Sequence, residues 1–99
     1  MISVLKEKNK IEITGHSGYD TIGKDIVCSA VSSIVTTTIN GIISIDEDAI
    51  SYHYQDDKML IELKKSDEIT LKLIDNMLDL LEKLSKDYPK NIRIKERKS

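Results

Sequence analysis

The fold is decided by residues 50–63, which read ISYHYQDDKMLIEL. Apolar and polar side chains alternate before and after Asp56 and Asp57, and this two-residue period is typical of a strand with one buried face. The two aspartates interrupt the alternation with a residue type that favours turns. The stretch therefore predicts two strands joined by a short turn.

Three further strands are predicted outward from this stretch. Residues 2–7 and 10–15 alternate in the same way and are separated by Lys8 and Asn9. Near the other end of the chain, Ile92 and Ile94 alternate with basic side chains and predict a fifth strand.

Two helices are predicted between the strands, because apolar positions recur there at helical spacing. Asp25 is a good N-cap for the first helix, and Ser66 or Asp67 caps the second, which runs to about Lys86. The resulting order, ββαββαβ, predicts an α+β fold in which two helices pack on one face of a mostly antiparallel five-stranded sheet.

The composition limits the class of protein. The chain has 99 residues, 15 basic and 17 acidic side chains and a net charge of −2. This length predicts a single domain over residues 1–99, and the lack of Phe and Trp predicts an aliphatic core. The one cysteine, Cys28, excludes an intrachain disulfide and a zinc site built from several cysteines.

The location and partners of the protein are expected to follow from what the chain lacks. We expect no apolar run near the ~18 residues that cross a bilayer and no secretory signal at the N-terminus, so the protein should be cytoplasmic with no membrane partner. The pI of about 5.6 argues against direct nucleic-acid binding. The basic residues near the C-terminus are interpreted as a solvated strand face and tail. No metal or other cofactor is expected.

The second helix carries more apolar surface than a helix needs to pack on one sheet. One row of these residues comprises Ile69, Leu73, Met77, Leu80 and Leu84. Two interpretations stay open: the helix is wedged deeply between the sheet and the first helix, or it forms a homodimer surface.

The segment from Gly15 to Ser33 has the features of a catalytic site. It places His16 after a strand, a glycine-rich loop after His16, and Cys28 in the expected first turn of the first helix. Free N–H groups and the helix dipole at that position stabilise a thiolate and can bind an oxyanion. His16 could take the thiol proton and return it to a leaving amine.

Each of these residues also has a simpler interpretation. A lone Cys28 among Val and Ile is often a packing residue, Asp25 is first of all an N-cap, and Ser32 could be a small packing residue. The segment from Gly18 to Lys24 matches the Gly-Lys part of a phosphate-binding loop. However, Asp25 stands where that loop needs Ser or Thr, and its carboxylate would repel phosphate.

A resemblance to a known family rests on this same segment. Gly15-His16-Ser17-Gly18-Tyr19, Gly23 and the run from Asp25 to Ser32 resemble the signature of the ribosomal-processing cysteine protease family, Prp. The resemblance implies a single cysteine protease domain in which Cys28 is the nucleophile and His16 its base, with Asp25 and Ser32 in support. It also implies a substrate loop that contains Gly15, Ser17, Gly18, Tyr19 and Gly23.

The resemblance further implies a substrate and an assembly. Members of the family are bacterial, cytoplasmic and dimeric, and they remove the N-terminal extension of large-subunit ribosomal protein twenty-seven during ribosome assembly. The expected function is therefore a cysteine endopeptidase for this ribosomal protein precursor. The alternative is a non-catalytic ribosome-associated binding module in which Cys28 is structural.

Overall fold

Seven elements make up the fold in the computed structural model, which describes residues 1–15, 22–56 and 58–97, with 22–25 described by their backbone only. In chain order they are β1 (Ile2–Glu7), β2 (Lys10–Thr14), α1 (Ile22–Ile45), β3 (Ile50–Gln55), β4 (Lys58–Leu63), α2 (Glu68–Asp87) and β5 (Ile92–Glu96). The predicted order ββαββαβ is confirmed.

The five strands form one sheet in the order β3-β4-β2-β1-β5. Three of the four strand pairs are antiparallel, whereas β1 and β5 run parallel. A parallel pair needs a long crossover connection, and the chain between β1 and β5 contains every other element. The predicted fold class, an α+β domain with a mostly antiparallel sheet, is therefore confirmed.

The core lies between one face of the sheet and the two helices. Register places Ile11 opposite Ile61 and Ile13 opposite Met59, so the apolar positions of adjacent strands meet on the same face. The strands contribute to this core Ile2, Val4, Ile11, Ile13, Ile50, Ile61 and Ile92, all buried. The core is aliphatic, as the composition predicted.

Helix α1 begins at Ile22, and the prediction that Asp25 caps it is therefore wrong. Gly23 lies inside the first turn, where a glycine costs about 1 kcal/mol relative to alanine. A glycine lowers helix propensity but does not break a helix, whereas a proline would break it. The glycine content of the segment consequently suggested a loop where the chain already forms a helix.

The surface of α1 corrects a second prediction. Residues Ile26–Ile45 carry no charge and reach a mean hydropathy of 1.7 over a length that could cross a membrane, so the expectation that no such run exists is wrong. This result concerns length and composition only, since the core helix of a soluble protein can pass the same test. Here Val27, Val31, Val35, Ile39 and Ile42 are buried in the protein core.

Helix α2 begins as predicted. The Asp67 carboxylate accepts hydrogen bonds from the Thr70 backbone N–H at 3.1 Å and from the Thr70 hydroxyl at 3.0 Å, which is the geometry of an N-cap. Ile74, Met77 and Leu81 are buried. In the predicted row on α2, Ile69 and Leu80 stay 53% and 40% exposed, so the helix is not wedged deeply along its whole length.

Candidate active site

The segment that leads to the predicted site starts from a constrained glycine. Gly15 follows β2 with φ +85°, a conformation that side chains other than glycine rarely adopt. A Cβ atom at this position would overlap the backbone carbonyl oxygen of Met1. Glycine is therefore required here by close backbone packing and by the backbone angle together.

Cys28 lies in the second turn of α1, six residues after Ile22. The first-turn prediction is therefore wrong: the free N–H groups of the helix are about 6–9 Å away along the axis at 1.5 Å per residue. Because the dipole effect falls off within the first turn, the helix end contributes little to the stability of a thiolate.

The surroundings of Cys28 are intermediate between core and solvent. Its side chain is partly buried and packs against the hydrophobic core, so the packing interpretation is correct in part. Ser32 follows four residues later and is exposed, which places its hydroxyl one helical turn from the thiol on the same side of α1. The helix thus presents a thiol and a hydroxyl in line along its surface.

The remaining predicted site residues are described only in part. His16, Ser17, Gly18 and Tyr19 lie outside the described residues, so their roles stay predictions. Asp25 is placed by its backbone in α1, one turn before Cys28. Gly23 is also within α1, so its assignment to a loop that extends to Lys24 is wrong.

Ser32 lines a cavity of about 250 Å³, and most of the other residues that line it were not assigned to the site from the sequence. It is lined by Ile13, Val31, Ser32, Val35, Thr36, Tyr54 and Met59. The alternation along β3 places Tyr54 on the same face of the strand as Ile50. This alternation was the sequence signal that could have assigned Tyr54 to the helix-facing side of the sheet. The packing of this edge strand beside α1 was not readable from the sequence.

The other histidine and the resolved charge effects lie away from Cys28. His53 is exposed and, as predicted, faces away from the core, since it pairs with Leu60 on β4. Beyond the C-terminus of α1, a 2.7 Å hydrogen bond from the Lys65 ammonium lowers the pKa of Asp46 and raises that of Lys65. The hydrogen bonds from Thr70 lower the pKa of Asp67. Both of these hydrogen-bonded groups lie at helix ends, Asp46 after α1 and Asp67 before α2.

Metal ligands are not grouped in the part of the chain that the structure describes. Within residues 1–15, 22–56 and 58–97, no three side chains of His, Cys, Asp or Glu are placed to hold a metal ion together.

Comparison with known proteins defines the chain as a cysteine protease. The family model described as cysteine protease Prp matches residues 1–93. The chain belongs to this Prp family. The resemblance found in the Gly15–Ser33 segment is thereby confirmed.

Relatives in two bacteria extend this result. The ribosomal processing cysteine protease Prp of Bacillus subtilis is 28% identical over 93 residues, covering 84% of this chain and 80% of the relative. The protein of the same name in Staphylococcus aureus is 27% identical over 84 residues, covering 81% and 78% of the two chains.

Solved structures share the fold. The S. aureus ribosomal processing protease Prp, crystallised with a substrate peptide, has a TM-score of 0.89 at 22% identity and covers 98% of this chain and 100% of its own. SMU.848 from Streptococcus mutans has a TM-score of 0.86 at 26% identity, with 99% and 93% covered.

Proposed function

We propose that this protease removes the N-terminal extension of large-subunit ribosomal protein twenty-seven, with Cys28 as nucleophile and His16 as base. The observation that carries the proposal is the position of Cys28, the only thiol of the chain, which is partly buried on α1 one helical turn before Ser32. Two relatives are named ribosomal processing proteases, which supports a ribosomal protein as the substrate. One relative was also crystallised with a covalently linked product peptide, as expected for covalent catalysis.

The proposed reaction has two steps. His16 takes the proton from the Cys28 thiol, and Sγ attacks the carbonyl carbon of the scissile bond. The C–N bond then breaks, the leaving amine receives the proton from His16, and a thioester remains on Sγ. Water adds to the thioester with His16 again acting as base, and the acid product leaves as the thiol regains its proton.

The supporting groups act around this dyad. Ser32, one turn after Cys28, can donate a hydrogen bond to the sulfur, and Asp25, one turn before it, can orient His16 or stabilise its cationic form. In this proposal Ser17, Gly18 and Tyr19 belong to the loop that contacts the substrate. Gly15 provides a fixed starting point for that loop.

The experiment measures cleavage of the purified precursor by mass spectrometry. Cys28→Ala and His16→Ala should each reduce the cleavage rate by at least about 100-fold, the lower end of the usual contribution of a general acid–base. His53→Ala is the matched histidine control, since His53 lies exposed on the other face of the sheet, and it should cleave at the normal rate. Full cleavage by either dyad variant would refute the dyad and favour a structural role for Cys28.

The assembly is proposed to be a cytoplasmic homodimer that pairs through α2. Its support is the exposure of Ile69 and Leu80, at 53% and 40%, on a row that continues through the half-buried Leu73 and Leu84. Leu80→Glu should shift the sedimentation coefficient from dimer to monomer, whereas Lys83→Glu on the charged side of α2 should not. A monomeric wild-type protein would refute this part of the proposal.

A further inference from the structure

The face of the sheet that turns away from the helices carries three cations near one edge. Strand β5 is an edge strand and its residue Ile92 is buried in the core, so the alternation along β5 places Arg93 and Lys95 on the opposite face, which we call the open face. The Arg97 N–H donates to the Lys6 carbonyl oxygen at 2.7 Å, which continues the strand pairing beyond the end of β5. Arg93, Lys95 and Arg97 are all exposed, and we call them the basic row.

The basic row borders a depression of about 240 Å³ in the open face. Register places Arg93 beside Ser3 on β1 and Ser3 beside Thr14 on β2, and both hydroxyl-bearing residues line the depression. Guanidinium, ammonium and hydroxyl groups are the side-chain donors that bind the phosphates of nucleic acids. The depression therefore brings together the donor types of a phosphate-binding surface.

The charge of the basic row is not neutralised by neighbouring carboxylates. None of the ion pairs formed among the described residues includes one of the three cations. The carboxylate that lines the depression, Glu12, pairs with Lys58 on β4 instead. Glu96 lies between Lys95 and Arg97 in the sequence, but it lines a cavity on the other face, beside α2. The basic row consequently keeps its positive charge.

The net charge of −2 describes another part of the molecule. Helix α2 packs on the opposite face of the sheet from the basic row and carries five acidic and three basic side chains. The pI of the whole chain therefore does not report the charge of the open face. The dimer contact proposed for α2 also lies on the helix side, so it leaves the basic row accessible.

The geometry of the basic row fits a regular chain of anions. Alternate residues of a parallel strand are about 6.6 Å apart, so the row extends over about 13 Å, which is longer than a single phosphate ion. A nucleic-acid backbone is likewise a regular row of single negative charges, and arginine can bind a phosphate through two parallel hydrogen bonds. The minor groove of an RNA helix is wide, shallow and lined by 2′-hydroxyl groups. A sheet face with Ser3 and Thr14 can approach such a groove without inserting a helix.

We infer that the open face binds the phosphate backbone of double-stranded RNA through Arg93, Lys95 and Arg97, with Ser3 and Thr14 as additional hydrogen-bond donors. This inference replaces the expectation, drawn from the pI, that the protein has no direct nucleic-acid partner. It goes beyond the proposed proteolysis and does not depend on the role of Cys28.

The first test measures the salt dependence of binding to a fluorescein-labelled RNA duplex by fluorescence anisotropy. Three phosphate contacts predict a slope of about −2.7 for log K against log salt concentration, which is a loss of about 40-fold in affinity between about 50 and 200 mM salt. Arg93→Gln, Lys95→Gln and Arg97→Gln should each make this slope less steep by about 0.9. Arg93→Lys should keep the slope, because the charge remains, and bind more weakly, because the paired hydrogen bonds are lost. A wild-type slope near zero would overturn the inference.

A matched control separates the charge of the open face from the net charge. One triple variant replaces the whole basic row with glutamines. The control variant removes the same number of charges from three exposed lysines of α2, through Lys72→Gln, Lys83→Gln and Lys86→Gln. The basic-row variant should bind RNA at least about 10-fold more weakly than the control variant, and equal affinities would overturn the inference. Equal melting temperatures of the two variants exclude unfolding as the cause of a difference.

Other polyanions provide the competing occupants. A DNA duplex of the same sequence, a polyglutamate peptide and vesicles of phosphatidylserine and phosphatidylcholine are titrated in the same buffer. Tighter binding to the RNA duplex than to all three supports the inference, and equal or tighter binding to any of them would overturn it. The basic-row variant should still cleave a peptide substrate at the wild-type rate, so a failure of RNA binding and a failure of the proposed proteolysis are distinguished.

Discussion

Replacement of Gly15 by alanine should destabilise the protein. Gly15 has φ +85°, and a left-handed conformation costs an L-residue about 1–2 kcal/mol. The new Cβ would also overlap the Met1 carbonyl oxygen, which belongs to the backbone and cannot rotate away. Met1 is followed directly by Ile2, whose N–H donates to the Asn91 carbonyl oxygen at 2.8 Å.

The expected loss follows from adding these effects. Displacement of Met1 disturbs the start of β1 and its parallel pairing with β5, where a hydrogen bond contributes about 1 kcal/mol. With the backbone cost included, Gly15→Ala should lower the free energy of unfolding by about 2–3 kcal/mol. Urea denaturation followed by circular dichroism measures this difference directly.

Gly41 provides the matched control. It lies inside α1, and a Cβ atom there meets nothing within 4 Å. Gly41→Ala should therefore stabilise the protein by about 0.5–1 kcal/mol through helix propensity. If Gly15→Ala changes the free energy of unfolding by less than about 0.5 kcal/mol, the backbone does not require glycine at this position.

Three further substitutions test the fold and its electrostatics. Asp67→Ala removes the N-cap of α2 and should lower the melting temperature by roughly 5 °C, whereas Asp67→Asn, which can still cap, should lose little. The hydrogen bonds from Thr70 lower the pKa of Asp67 in the folded protein. Their contribution to folding stability is therefore complete above the usual aspartate pKa of about 4, and it is lost as the pH falls through the lower pKa of the folded state. The difference in melting temperature between wild type and Asp67→Ala should accordingly shrink in acid, and a difference that grows there would contradict this interpretation. Asp56 has a φ of 56°, a left-handed conformation that glycine adopts without strain. Asp56→Gly should therefore raise the urea midpoint by an amount equivalent to about 0.5 kcal/mol, and a lower midpoint would contradict this expectation. Met77 is fully buried, so Met77→Ala should cost about 2–5 kcal/mol in the same denaturation assay, and a loss below 1 kcal/mol would show that the core does not depend on it.

The strands were predictable from the sequence because apolar and polar side chains alternate along them with a period of two. The Asp67 cap was predictable for the same local reason, since a capping carboxylate and the helix it begins are neighbours in the chain. The start of α1 was not predicted, because Gly23 lowers helix propensity locally while the rest of a 24-residue helix offsets that cost. Local signals therefore located elements better than their ends.

The candidate site was predictable in its chemistry and not in its surroundings. Cys28 is the only thiol, so any thiol chemistry had to be assigned to it. The cavity that Ser32 lines joins Ile13, Thr36 and Tyr54 from three separate elements. The pattern within one element does not predict which residues of other elements it contacts. Those contacts depend on the order of strands in the sheet and on the packing of α1 against them.

The role of Cys28 is tested most directly by partial alkylation with iodoacetamide. Because the chain has one cysteine, intact-mass spectrometry gives the alkylated fraction without ambiguity about the site, and the same samples are assayed for cleavage of the precursor. Activity should fall in proportion to the fraction of unmodified Cys28 and reach zero at full modification. Protein that is fully alkylated at Cys28 and still cleaves at the normal rate would contradict this expectation.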